Sequence, residues 1–115
     1  MNSRDTLARL RRFQIDETNR RVAQLETMIT EFSKMARELE REISAEEQKA
    51  GIFDLTHYAY PTYARAARAR RDNLQRSAEE LTVQLDAARQ FLEEVLSSPS
   101  KKRESQDNET AQMAG

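Results

Sequence analysis

His57 is the only histidine in this chain of 115 residues, and cysteine and tryptophan are absent. A lone imidazole cannot form a histidine pair or a nucleophile–base triad, and there is no thiol to act as nucleophile. Disulfides and cysteine–zinc sites are excluded as well. With two glycines in the whole sequence, no glycine-rich loop exists to cradle a phosphate. Glu46 and Glu47 adjoin, but a cation held there would need further loop oxygens. A solvated pair on a charged helix is the expected state. No catalytic residue, metal site or cofactor is expected.

Two other clusters carry chemistry. Arg65, Arg68, Arg70 and Arg71 in "ARAARARRDN" hint at nucleic acid, but a stacking platform would need interleaved aromatics, and Tyr63 alone does not supply one. A solvated helix face that partly balances Glu40, Glu42, Glu46 and Glu47 is the plainer account, so no nucleic-acid partner is expected. The second cluster is "AGIFDLTHYAYPTYA", residues 50–64. It holds Phe53, Tyr58, Tyr60 and Tyr63, out of four phenylalanines and three tyrosines in total. Its one charged residue is Asp54. One role for these rings is to fold over a helical end and cap it, with Tyr60 held extended by Pro61. The other is to stand in solvent as anchors for a partner, since tyrosine offers large contact area at low entropic cost. Phe53, Leu55, His57, Tyr58, Tyr60 and Tyr63 are the candidate partner-binding residues, with the two roles divided among them.

Composition sets the frame for this break. Charged residues make up 34% of the chain and apolar ones 37%, too few for a conventional globular core. Basic and acidic residues number 19 and 20, giving a formal net charge of −1, and they are well mixed, which disfavours a general polyanion binder. The opening "MNSRDTLARLRRF" has no apolar stretch, so no secretory signal is expected there. No apolar run approaches the ~18 residues of a membrane span.

Glycine and proline punctuate the sequence. Residues 1–50 and 62–98 contain neither and are rich in Ala, Leu, Glu, Arg and Gln, which predicts a helix over about 3–50 and another over about 62–96. Gly51 and Pro61 bracket an aromatic turn over 51–61. Along the first helix Ile15, Thr18, Val22, Leu25, Ile29, Phe32, Ala36, Leu39 and Ile43 alternate steps of three and four. Leu74, Ala78, Leu81, Leu85, Ala88, Leu92 and Val95 do the same along the second. These are heptad seams. Glu17–Arg21 and Asp72–Arg76 are expected i,i+4 pairs on the exposed faces.

Folding back at the turn pairs Ile15 with Val95, Val22 with Ala88, Leu25 with Leu85, Ile29 with Leu81, Phe32 with Ala78, Ala36 with Leu74 and Ile43 with Ala67. Most layers join a large residue to a small one, which suits close packing. A register displaced by one heptad also gives apolar layers. The expected fold is all-α: a long two-helix antiparallel coiled-coil hairpin over 1–96 with a disordered C-terminal tail over 97–115. That tail, "SSPSKKRESQDNETAQMAG", offers little beyond Met113 and alanines to bury. The seam is thin: alanines fill several layers and Arg71 would face Leu39. Leu7 and Leu10 fall out of phase with it, so it shifts or ends near Phe13.

The segments "SRDTLARLRRFQIDETNRRVAQLETMI", "AEEQKAGIFDLTHYAYPTYA" and "RRDNLQRSAEEL", in that order, resemble the FliJ family in its alphaproteobacterial form. The similarity covers roughly residues 1–95, and the aromatic break followed by "RRDNL" is its most specific part. The resemblance implies a non-enzymatic coiled-coil adaptor of the flagellar type III protein export apparatus. Its implied partners are the export ATPase, the export gate protein and export chaperones, with gate contacts around residues 50–75. It implies a cytoplasmic location, peripheral at the basal body on the inner-membrane face. One departure is clear: the family's second helix usually runs well beyond this point, whereas here the polar tail takes over. That leaves Leu7, Leu10 and Phe13 without an intramolecular partner. The alternative expectation is a homo-oligomeric coiled-coil scaffold in which unpaired segments self-associate.

Overall fold

The computed structural model of the chain describes residues 2–97. Among them there are two α-helices and no strand: α1 is Ser3–Ala50 and α2 is Thr62–Leu96. The fold is the expected all-α helical hairpin. Residues 98–115, nearly all of the segment expected to form a disordered tail, lie outside the described residues. By packing, the chain divides into two units, Gln24–Leu85 and the described parts of Met1–Ala23 with Asp86–Gly115. No described helix is long and apolar enough to cross a membrane.

Each helix end has a local cause. At the start of α1 the Asn2 side-chain oxygen accepts the Asp5 backbone N–H at 2.9 Å. That is an N-cap, satisfying one of the N–H groups the first turn leaves open, with Asp5 favourably placed near the positive end of the helix dipole. At its other end Gly51 takes a φ of +69°, and the Glu47 carbonyl accepts N–H groups from both Gly51 (2.8 Å) and Ile52 (3.3 Å). A left-handed residue just past the last helical one is what closes the orphaned carbonyls.

The unit Gln24–Leu85 contains the turn and the better-filled length of seam. Leu25, Ala36, Ile43, Ala64, Ala67 and Leu85 are buried, while Ile29, Phe32, Leu39, Leu74, Ala78 and Leu81 are half-buried. Ile43 shares one cluster with Tyr60, Ala64 and Ala67, with Leu39 and Ile52 packed against it. Ile43 beside Ala67 is the first of the two registers, not the one displaced by a heptad. Arg71 sits at the seam edge with its side chain 20% exposed, its guanidinium 3.0 Å from Asp72 and 3.9 Å from Glu40. Its stem covers the seam while its charge reaches out to carboxylates. Asp72 therefore pairs with Arg71 where Arg76 was expected, and Arg76 donates to Asn73 at 2.6 Å. Small residues leave a polar groove lined by Ser33, Ala36, Glu40, Gln75 and Ala78.

In the other unit Thr18 is the buried residue, and Ile15, Val22, Ala88, Leu92 and Val95 are half-buried. The Thr18 hydroxyl donates to the Gln14 carbonyl at 2.7 Å, so its burial leaves no hydroxyl unsatisfied. On the outer face Glu17 pairs with Arg20 at 2.6 Å. The seam ends at Arg11, whose Nη2 donates to the Leu96 carbonyl at 3.0 Å. A cation there satisfies a terminal carbonyl of α2 and opposes the negative end of its dipole. Leu7, Leu10 and Phe13 are all more than half exposed, as their phase requires.

Two outcomes test this packing. Leu25 is fully buried, so Leu25→Ala lowers unfolding free energy by about 2–5 kcal/mol, whereas Leu7→Ala changes it by less than about 0.5 kcal/mol. A methyl group on Gly51 would meet no atom within 4 Å, yet Gly51→Ala costs about 1–2 kcal/mol, because the penalty is conformational. Urea unfolding followed by circular dichroism measures both.

Candidate functional site

The turn between Gly51 and Pro61 is built from short-range hydrogen bonds. Asp54 accepts both the backbone N–H and the hydroxyl of Thr56, at 2.9 and 2.8 Å. The Thr56 backbone bond, reinforced by its hydroxyl, holds the Asp54 carboxyl below its usual range. His57 N–H donates to the Asp54 carbonyl and Tyr60 N–H to the His57 carbonyl, each at 3.1 Å. His57 Nδ1 accepts the Ala59 N–H at 3.0 Å, so the imidazole serves as a turn acceptor. Its ring stacks on Tyr58, centroids 4.7 Å apart and planes 22° apart.

Tyr60 leaves this turn inward. Preceding Pro61 it is kept out of the helical conformation, and it is 4% exposed, packed with Ile43, Ala64 and Ala67. Its hydroxyl donates to Glu47 at 3.0 Å and accepts Arg68 Nε at 2.8 Å, while Arg68 Nη2 reaches the same Glu47 oxygen at 3.1 Å. The Arg65 guanidinium lies 5.3 Å from the Tyr60 ring centre and donates to the Leu55 carbonyl at 2.9 Å. Glu47 itself is buried, at 8% exposure. The Arg68 hydrogen bond, assisted by Tyr60, holds its carboxyl below the ordinary glutamate range despite burial, and Tyr60 and Glu47 in turn raise Arg68.

The candidate residues thus separate. Tyr60 belongs to the hairpin's interior and is corrected from the set of exposed anchors, because its ring fills the end of the seam and its hydroxyl joins the Glu47–Arg68 ion pair. Tyr58 is 96% exposed and Phe53 61%, with Tyr63 and Leu55 less so, and His57 is exposed beside Tyr58. Tyr63 projects from the first turn of α2 and donates to Glu42 at 2.6 Å, which raises its phenol above the usual range. Its ring is fixed in position while remaining half in solvent.

Glu47 and Arg68 were expected to be solvated, and their pairing with Tyr60 is the part of the site that sequence reading missed. The available signal was a tyrosine before proline, with a glutamate and an arginine on opposite arms within reach of it. Glu47 is committed to Arg68 and Tyr60, and no group of three or more acidic or histidine side chains suited to a metal ion occurs among the described residues. The arginine cluster is likewise partly committed: Arg65, Arg68 and Arg71 all contact the hairpin itself, Arg65 from an exposed position. Compared with protein-family models, curated proteins and solved structures, the chain matches none.

A carboxylate whose folded-state pKa is lowered stabilises the fold above the usual glutamate value and ceases to do so as pH falls through the folded value. Stability should therefore fall on acidification below about pH 4.3. Glu47→Gln should be less stable at neutral pH and should lose less between about pH 5 and about pH 3. Chemical denaturation across that range reads the difference, and parallel pH profiles would remove Glu47 from the account.

Proposed function

We propose that this chain is a non-enzymatic helical adaptor of the flagellar type III export apparatus, of the kind its resemblance to FliJ implies. It would connect the export ATPase, the export gate protein and export chaperones, working in the cytoplasm at the basal body. The observation that carries this reading is the division of the aromatic turn. Tyr60 anchors it from within, and Phe53, Tyr58 and Tyr63 stand in solvent on a preorganised backbone. A turn whose backbone is already ordered before association forfeits little entropy on binding, which is the property of a recognition element. The all-α hairpin and the order of the resembling segments support the same reading.

Phe53 and Tyr58 are the residues to replace, because both are exposed and neither side chain makes the hydrogen bonds that hold the turn. Phe53→Ala with Tyr58→Ala should weaken capture of the gate protein or a chaperone from flagellated cells. The loss should be about 2 kcal/mol per ring, roughly thirtyfold each. Helicity and unfolding midpoint should be unchanged. Undiminished capture by the folded double variant would dismiss the turn as the recognition site. Failure of the parent chain to retain any export component would dismiss the export reading itself.

A further inference from the structure

The start of α1 has a surface the hairpin does not use. Every residue from Asn2 to Leu10 is exposed, and Phe13 is 63% exposed. At about 100° per residue, Leu7, Leu10 and Phe13 cover roughly 120° of the helix circumference. Arg9 borders that stripe on one side, Arg4 and Arg11 on the other, and Arg12 occupies the opposite face. Asp5 is the one acidic residue before Asp16. The side chains of Arg4, Arg9 and Arg12 make no ion pair with any described residue. Arg11 is turned to the Leu96 carbonyl. The segment is therefore a basic amphipathic helix with uncommitted cations at the flank of an apolar face.

Its spacing selects among occupants. Steps of three followed by three make a wide stripe, whereas a partner helix in heptad packing needs threes alternating with fours. A second copy would bring like-charged arginines together. A flat anionic surface satisfies both conditions: it accepts a broad apolar face and neutralises arginines that extend from its edges. We propose that the first turns of α1 bind an anionic lipid surface, lying in the headgroup plane with Leu7, Leu10 and Phe13 turned inward. Ile15, Thr18 and Val22 lie on a different side of the helix, so this contact leaves the seam intact. The inference does not depend on the export reading.

Sedimentation of the full chain with lipid vesicles tests it. The chain should bind vesicles of phosphatidylcholine with phosphatidylglycerol, leave vesicles of phosphatidylcholine alone, and be released by added salt. Arg4→Gln with Arg9→Gln should weaken binding about fivefold per arginine. Leu10→Ser with Phe13→Ser should weaken it by about tenfold or more at unchanged helicity, since both positions are exposed in the folded chain. No sedimentation with anionic vesicles, equal binding to neutral ones, or full binding by the serine variant would each overturn the proposal. Loss of a protein partner in the serine variant, without vesicle binding by the parent, would overturn it in favour of a protein surface.

Discussion

A carboxylate removed from water has to recover its hydrogen bonds within the protein, and Glu47 meets that requirement with Arg68 and Tyr60. The turn is organised around this need. Glu47 lies in the last turn of α1, Arg68 in the second turn of α2, and Tyr60 on the stretch of backbone between them. The same residue's carbonyl receives the two N–H groups that close α1. Helix termination, reversal of the chain and the pairing of the two arms thus meet at one residue. Removing Arg68 alone would leave the Glu47 carboxylate, 8% exposed, with the Tyr60 hydroxyl as the remaining one of these two partners.

Away from that point the molecule depends on a single apolar stripe per helix. Leu25 and Leu85 are buried, but several neighbouring layers rest on alanine and are only half-covered. Polar side chains handle what the seam cannot bury. Arg71 shields it with a methylene stem, and Thr18 returns its hydroxyl to the backbone. Both stand at the seam without leaving a buried donor unanswered. Arg11 closes the seam against the Leu96 carbonyl through one nitrogen, while its Nε is buried without a partner among the described residues. That end is the less completely satisfied of the two.

These differences follow what a sequence can encode locally. The seam was legible because periodicity is a property of each helix by itself, and every expected seam position is buried or half-buried. The loss of phase at Leu7, Leu10 and Phe13 was legible for the same reason. The choice of register was not, because two alignments satisfy the same apolar pattern and the turn decides between them. Nor was the Glu47–Tyr60–Arg68 contact, which joins residues 13 and 21 positions apart that acquire meaning only when the chain has reversed. The Asn2 cap was visible in principle as an asparagine three residues before an acidic one. Among the aromatic residues, composition revealed the cluster but not its division, since burial of one tyrosine and exposure of another depend on where Pro61 aims the backbone.

That division has a consequence for how such a chain can change over time. Tyr60 carries the architectural burden, and its neighbours Phe53 and Tyr58 carry almost none. Substitution at the two exposed rings is therefore nearly neutral for folding, while substitution at the buried one is constrained by shape and by two charged partners. Surface chemistry at the turn can drift, duplicate and specialise on an unaltered scaffold. Folding thus leaves positions 53 and 58 free to follow the surface of whatever they bind, while it holds 47, 60 and 68 to one arrangement.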